Sequence, residues 1–549
     1  MHSRRRRFNG VPVSAFPVAA LPSEEKLRGG YYTPPVIADF LAEWVSEAGP
    51  RMLEPSCGDG IVLSALAARA ESVVGIEVEP NEARKAARSS PAAEVVTLDF
   101  FRWFDQLQYG QWDGAAGNPP FIRFGNWSDP TRTFAFDVMR AVGMRPTKLT
   151  NAWVPFIVAS ALALRDGGRL GFVVPAELLQ VTYASELRAF LVDEFRELTA
   201  ITFKRLVFDG ILQEVVLILG VRGTGPAQIR VVEVEDADSL PASAGLTALP
   251  HAPALRHESE KWTKYFLDPD EIDALREARD NADLTRLGDI AEVDVGVVTG
   301  RNQFFVLRPS VTEAKALKRH VMPLVSKSAH VRGVVFRPAD FAELEVDDAL
   351  CQLLAVADDA KLPAALRRYV AAGEAEGVHE GYKCSIRKRW WVVPSIWRPD
   401  AFLLRQIYDH PRIIANTTDA TSTDTIHRVR MVNGTQPAEL AAASVNSLTF
   451  AFAEVMGRSY GGGVLELEPR EAEGLPFPDP HALKGEDVEH IDQLLRNGQL
   501  LAALDYVDRR LLIEEAGLDE DLVTTMRSVW VRLRDRRLAR GKKAKQLPA

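Results

Sequence analysis

From residue 51 to residue 222, short apolar runs alternate with longer stretches of helical periodicity, and this alternation restricts the fold more than any other feature of the chain. "RMLEP", "SVVGIEV", "AEVVTLDF", "WDGAAG", "RLGFVVP", "LTAITFKR" and "EVVLILGVR" read as strands. "IVLSALAARA", "NEARKAARSS", "FIVASALALRDGG" and "ASELRAFLVDEF" read as the helices between them. Strands separated by helical segments predict an α/β fold with a doubly wound, mostly parallel sheet and helices on both faces. The strand segments predict seven strands in Rossmann-like order. Residues 223–260 carry Gly, Pro, Ser and Ala with one strand-like run, "IRVVEVE", and read as a join. Beyond it, 260–480 mixes helical patches with short strands, a mixed α+β region, and 481–549 is a helical segment ending in a basic tail. The expected layout is therefore a basic arm over 1–27, an α/β unit over 28–250, a second domain over 260–480 and the helical segment 481–549.

Open α/β sheets bind ligands at the carboxyl ends of their strands. There the first strand runs into "LEPSCGDG" at 53–60, whose small residues and Gly58 let the backbone approach a ligand. The second ends in "GIEVEP", which puts Glu77 about 20 residues beyond the glycine loop, where nucleotide folds place a ribose-hydroxyl acceptor. The third ends in "LDFF", with Asp99 as a base-edge acceptor and Phe100 as an aromatic cover for an adenine ring. Glu54 and Asp59 in the loop would repel a pyrophosphate, so a nicotinamide cofactor is disfavoured. They suit a cationic adenosine derivative, and S-adenosylmethionine carries both an ammonium and a sulfonium. The alternative is an acidic turn with no ligand.

The fourth strand ends in "GNPPF" at 117–121, beside that pocket. An amine conjugated to a purine is a poor nucleophile because its lone pair is delocalised. The side-chain oxygen of Asn118 and the carbonyl of Pro119 would accept its two hydrogens and favour a more tetrahedral nitrogen. Alignment with a methyl donor and fixed polar groups would then lower the barrier. Phe121 would stack on the target base and hold it out of a duplex. A rigid Pro-Pro turn with a core Phe explains Pro119 and Phe121, though not an asparagine at this strand end.

In this order, "GGYYTPPVIADFL", "LEPSCGDG", "GIEVEP", "LDFF", "GNPPF" and "RLGFVVPAELL" resemble the motifs of gamma-class adenine-N6 DNA methyltransferases of restriction-modification systems, the TaqI methyltransferase type in particular. The resemblance covers 28–220 well and extends more loosely to about 480. It implies a class I S-adenosylmethionine-dependent methyltransferase domain over 28–250 and a DNA target-recognition domain over 260–480. Thr33 and Glu54 would touch the methionine part of the cofactor, Glu77 the ribose, and Asp99 and Phe100 the adenine; Asn118 stands beside them, and with Pro119 and Phe121 it forms the active site. "LVFDGILQEVVLIL" is similar to the family segment whose aromatic packs on the far side of the flipped base, which nominates Phe208. Phe121 replaces a tyrosine of many relatives and keeps the stacking face. About 28 residues precede the first motif, too few for a nuclease domain, so cleavage is expected from a separate restriction endonuclease.

In the second half, "VDVGVVTGRNQFFVL", "YKCSIRKRWWVVP" and "GRSYGGGVLELEP" resemble target-recognition segments. Arg387, Lys388 and Arg389 beside Trp390 offer phosphate contacts interleaved with aromatic surface, and the glycine turn could bring backbone close to DNA. The competing reading is a strand with buried tryptophans and exposed bases. Further basic runs lie at Arg4–Arg7 and in "RLRDRRLARGKKAK" at 532–545, within a chain of net charge -9. Three cysteines without metal-ligand spacing, no apolar run after the basic start and no membrane-length apolar stretch lead to an expected cytoplasmic protein without metal or membrane. Two other functions share the motifs: methylation of a protein glutamine amide, and a non-catalytic DNA-binding subunit. The recognition half and the full set Glu54, Glu77, Asp99 and Asn118 favour the DNA enzyme.

Overall fold

The computed structural model describes residues 33–544 apart from 123, 125, 126, 128, 206, 209–213, 247–260, 281–283, 358–361, 433 and 461. The expected basic arm, with Arg4–Arg7, and the end of the basic tail lie outside the described residues. So do the end of the join, 247–260, and residues 209–213 directly after Phe208.

The first half opens with α1 (Pro35–Ser46) and continues as β1 (Arg51–Glu54), α2 (Ile61–Ala67), β2 (Ser72–Glu77), α3 (Pro80–Ser89), β3 (Glu94–Thr97), α4 (Phe100–Trp103) and β4 (Trp112–Gly117). It goes on through α5 (Asp129–Ala141), α6 (Trp153–Ala163), β5 (Leu164–Pro175), α7 (Glu177–Gln180), α8 (Ser185–Glu194), β6 (Phe195–Phe203), β7 (Val215–Arg222) and β8 (Gln228–Val234). These strands form one sheet in the order β3-β2-β1-β4-β5-β7-β6-β8. All neighbours are parallel except β7, which runs antiparallel to both β5 and β6. The sheet has eight strands rather than the expected seven. The eighth is "QIRVVEV" within the join, and it is fixed by pairing in parallel with β6 from Glu197↔Gln228 to Phe203↔Val234. The join therefore belongs to the sheet.

The two-residue period of the strands divides the core. Leu53, Ala115, Phe172, Val174, Ala200 and Ile218 face one apolar cluster, with α6; Met52, Ala116, Val173, Ile201, Leu217 and Leu219 face the other, with α1 and α2. Strands covered on both faces read as continuous apolar runs, which is why "VVLILGV" was legible.

The second half carries a five-stranded sheet, Ala291–Asp294, Ile426–Met431, Ala401–Leu404, Ile413–Asn416 and Val335–Phe336 in spatial order, and a four-stranded one around Val321–Val325. Its later elements include α9 (Tyr382–Ser385), α10 (Ser447–Met456), the hairpin β9 (Arg458–Tyr460) and β10 (Val464–Glu466), and α11 (Glu520–Ala544). The apolar clusters cut across the expected boundaries. One runs from the α6 face of the sheet through Trp262, Phe402 and Phe450 to Trp530, so residues on both sides of 480 share a core with the first half. A separate small core gathers Val297, Phe304, Phe305, Leu353, Leu366 and Trp390.

Candidate functional site

Pro55 ends β1 because it has no N–H to offer the ladder, and the chain turns through "SCGDG" into α2. Gly60 takes φ +91°, and a Cβ there would stand 2.7 Å from the Ala86 backbone, so the turn closes tightly onto α3. Gly58 donates its N–H to Glu77 Oε2 at 2.9 Å, and Glu79 N donates to Glu77 Oε1 at 2.8 Å. Two backbone bonds thus orient the Glu77 carboxylate, and each oxygen keeps a lone pair for a further donor.

Glu54 is the last residue of β1 and is 2% exposed. Its carboxyl is held well above the ordinary carboxylate range, first by burial, then by the charges of Glu77 and Asp59. Glu77 and Asp59 are also raised, each mainly by burial. Glu54 Oε2 has no hydrogen-bond partner among the described residues. A buried acid crowded by two others is unfavourable as a carboxylate, so it keeps its proton or takes a cation as its partner. Two large apolar side chains beside these acids at the strand ends are exposed: Val78 directly after Glu77, and Leu98 directly before Asp99. Sequence reasoning passed over both; their signal was an apolar residue next to an acid at a strand's carboxyl end.

The structure brings Thr33 to this site. Asn118 Nδ2 donates to Thr33 Oγ1 at 3.3 Å, across 85 residues, and Ser56 Oγ donates to the Asn118 carbonyl at 3.4 Å. The amide at the end of β4 is thereby tied to the segment before α1 and to the acidic loop. Pro119 is buried, and Phe121, half-buried, packs against both clusters of the first half. Phe208 is buried in the cluster on the α1 face, the same cluster that Phe121 touches.

Of the two expected adenine contacts, Asp99 stands at the strand end as expected, whereas Phe100 is placed differently. Asp99 caps α4: its Oδ1 accepts from Phe101 N at 3.1 Å and Arg102 N at 3.2 Å. Phe100 is 2% exposed and sits in the core instead of on the pocket wall. One face stacks on Phe156 at 5.3 Å and another contact is Trp103 at 6.1 Å, so the ring is consumed by aromatic packing.

The basic-aromatic stretch is also corrected. "RKRWW" is a turn beyond α9, not a strand. Trp390 is buried in the small core against Phe304 and donates its Nε1–H to Glu374 at 3.1 Å. Arg387 donates to the Val298 carbonyl at 2.9 Å and the Trp390 carbonyl at 3.4 Å, so its guanidinium joins two loops. Lys388 is exposed and Arg389 half-buried. The Arg387–Val298 bond brings "VVTGR" and "YKCSIRK" together. Their shared surface exposes Val298, Tyr382 and Ile386 between the cations Arg301, Lys383 and Lys388. The stretch thus exposes apolar side chains and cations close together in sequence.

The glycine hairpin β9–β10 docks on the first half. Ser459 N donates to Gln180 Oε1 at 2.5 Å, and Gln180 Nε2 donates back to Ser459 O at 3.0 Å. Arg537 Nη1 donates to the Gly463 carbonyl at 2.5 Å. Among the described residues no His, Cys, Asp and Glu group could hold a metal, and no helix is long and apolar enough to cross a membrane.

Residues 259–512 match the family described as type II methyltransferase M.Eco57I, C-terminal domain. The chain is 20% identical over 467 residues to the type II methyltransferase M.AccI of Acinetobacter calcoaceticus, covering 80% of this chain and 83% of that protein. It is 23% identical over 479 residues to the type II methyltransferase M.XamI of Xanthomonas campestris pv. amaranthicola, with 82% and 85% covered. A shorter match, 34% over 194 residues, joins it to the type II methyltransferase M.TthHB8I of Thermus thermophilus, with 33% and 42% covered. The chain is thus similar, at low identity over about four-fifths of its length, to type II methyltransferases.

Proposed function

We propose that this chain transfers a methyl group from S-adenosylmethionine to the N6 amine of an adenine turned out of a specific duplex DNA sequence, in the gamma-class manner, within a restriction-modification system. The observation that carries the reading is the pair of bonds from Asn118 to Thr33 and from Ser56 to the Asn118 carbonyl, which holds the asparagine of NPPF beside the acidic loop. The similarity to type II methyltransferases supports the reaction class. On this reading residues 28–250 are the catalytic unit, 260–480 the recognition unit and 481–549 a C-terminal segment that braces both.

The pocket fits the proposed donor. Buried Glu54, with its unpartnered Oε2, and the raised Asp59 and Glu77 call for positive charge, which the ammonium and sulfonium carry. When bound, the donor supplies an activated methyl group. Glu77, fixed by Gly58 and Glu79, would accept from the ribose hydroxyls; Val78 and Leu98 would cover the adenine faces in place of Phe100.

Asn118 Oδ1 and the Pro119 carbonyl would accept the two N6 hydrogens of the target. Thr33 holds the Asn118 amide plane by accepting from Nδ2, which leaves Oδ1 directed as the acceptor. These acceptors would hold the nitrogen lone pair toward the methyl group that the donor supplies, its sulfur leaving as the neutral thioether, and would pass the surplus N6 proton to water. Phe121 would bear one face of the base and Phe208 the other. The cationic surface of Arg301, Lys383 and Lys388 would meet phosphates, with Tyr382 and Ile386 against the groove.

Methylation-sensitive sequencing of DNA from cells expressing the chain tests this. One modified adenine motif is expected, and Asn118→Ala should lose the mark by a factor of about a hundred or more while binding the donor in calorimetry. A mark that survives in Asn118→Ala removes the active-site assignment.

A further inference from the structure

The helix α6 runs from Trp153 to Ala163 and passes straight into β5 at Leu164. β5 lies parallel to β4 and begins at the edge of the sheet where β4 begins, with Trp112 opposite Leu164. The helix rises about 16 Å, close to the length of β4, so it starts at the opposite edge, where β4 ends and Asn118 stands. The segment before it is fastened there. Ala152 N donates to the Ile122 carbonyl at 2.9 Å, one residue past NPPF. Thr150 is buried and so is Trp153, so both flanks of this attachment are core.

The residues in front of that attachment, "TKLT" at 147–150, close on themselves. Thr147 N donates to Thr150 Oγ1 at 2.9 Å, and Thr150 N donates to the Thr147 carbonyl at 3.0 Å. Leu149 N donates to Thr147 Oγ1 at 3.1 Å. Each threonine hydroxyl thus takes a backbone donor of the turn, local bonding that fixes its shape without outside help. The turn holds Leu149 out at 74% exposed, with the exposed cation Lys148 directly before it. A lone exposed leucine is ordinary on a protein surface. This one stands on a closed turn at the rim of the strand end that carries Asn118.

We infer that Leu149 is a wedge residue: its side chain enters the duplex beside the target adenine and fills the place the base vacates, while Lys148 meets a flanking phosphate. This rests on the extrusion of an adenine proposed above. Extruding a base forfeits its pairing and stacking and leaves a gap in the duplex. An aliphatic side chain pushed between base steps covers the uncovered ring faces and removes its own apolar surface from water in the same movement. In the free protein that surface stands in water, so its burial is a gain realised only with the opened duplex. Because the turn is already closed by its own threonines, little backbone has to be ordered as the wedge enters. The cation next to it holds the adjoining strand without reading its sequence.

The test compares full-length wild type with Leu149→Ala and Leu149→Met on two duplexes that carry the motif found by sequencing. In one the target adenine pairs with thymine; in the other it faces a mismatched cytosine, so that less pairing has to be broken. Single-turnover methylation rate, fluorescence of 2-aminopurine at the target position of the paired duplex, S-adenosylmethionine affinity and thermal midpoint are read. On the paired duplex Leu149→Ala should lower the rate and the fluorescence gain about tenfold or more. On the mismatched duplex the loss of rate should shrink below about threefold, because less work of opening remains. Leu149→Met, which keeps the apolar bulk and the reach, should stay within about threefold of wild type on both. Donor affinity and thermal midpoint should hold in both variants, since the side chain is exposed in the free protein. A rate in Leu149→Ala within about twofold of wild type on the paired duplex overturns the inference. An equal loss on both duplexes also overturns it, as the mark of a plain groove contact, and so does a loss of rate that tracks donor affinity or thermal midpoint, as the mark of a structural side chain. A wild-type chain that methylates no duplex removes the proposed function itself, and a wild-type chain active on DNA with an indifferent Leu149 removes only the wedge.

Discussion

Two groups of carboxylates in this molecule have opposite surroundings. Around α11, Glu454, Glu214 and Glu233 each face an arginine of the last helix, Arg537, Arg540 and Arg536. At the carboxyl ends of β1 and β2, Glu54 faces the carboxylates of Glu77 and Asp59. Burial raises Glu454 as it raises Glu54, but at Glu454 the arginine hydrogen bonds and charge work against the rise, whereas at Glu54 the neighbouring charges add to it. A buried acid that the fold has neutralised belongs to the architecture. One left beside like charges is the place where a cationic ligand would be stabilising, as the proposed donor requires.

The comparison breaks first at Glu454. Its carboxylate takes Arg537 Nε at 3.1 Å and Nη2 at 2.5 Å, with both side chains at most 3% exposed. Glu454→Ala leaves a guanidinium buried without its counter-charge and should destabilise the folded chain by about 3–5 kcal/mol, read as a lowered urea midpoint. A loss below about 1 kcal/mol would mean that the two groups of acids do not differ in kind.

The same contrast separates what was legible in the sequence from what was not. Strands β1 to β7 could be read because each is a local apolar run, buried on both faces in most of them though not in the edge strand β3. β8 could not be assigned to the sheet, since only its pairing with β6 distinguishes "IRVVEVE" from a strand in a linker. Glu54, Glu77 and Asn118 fell on recognisable strand ends, so the order of strands alone placed them along one edge. Phe100 did not follow, because whether an aromatic at a strand end lines a pocket or fills the core depends on Phe156, 56 residues away. The arginines of 532–540 looked like a solvated basic tail; their partners Glu214, Glu233, Asp268 and Glu454 are supplied by segments remote in sequence. Charge can be counted in a sequence, whereas its neutralisation is a property of the fold.

The basic stretch around residue 387 sharpens the point on the DNA side. Trp390 is core and Tyr382 is 74% exposed, although both sit in one run that reads as basic and aromatic. Trp390→Ala should cost stability by about 3 kcal/mol. Tyr382→Ala combined with Ile386→Ala should leave the urea midpoint in place and weaken duplex binding about tenfold, near 1.4 kcal/mol, in fluorescence anisotropy. Lys383→Ala should reduce the salt dependence of that binding by about one counter-ion. If the double variant binds DNA like wild type, the exposed surface is not the one that meets the duplex.

The smallest effect is the most direct on the acidic pocket. Because the Glu54 carboxyl is raised in the folded chain, the folded state keeps its proton at pH values where the unfolded chain has released it. Stability from this group is therefore complete below the unfolded value, declines as pH rises toward the folded value, and stays low above it. Glu54→Gln mimics the protonated form at every pH. The free variant should gain about 1 kcal/mol over wild type near pH 8, and the gain should shrink toward zero near pH 5. A cationic donor reverses the preference, since it favours the ionised carboxylate, so binding must expel the proton that burial had retained. Calorimetry in two buffers of different ionisation enthalpy should find release of a fraction of a proton, up to about one, on S-adenosylmethionine binding near neutral pH. That release should fall in Glu54→Gln, together with an affinity loss of about tenfold. Proton uptake on binding, or a variant that is less stable than wild type at the higher pH, would show that Glu54 is neutralised by the fold after all, as Glu454 is.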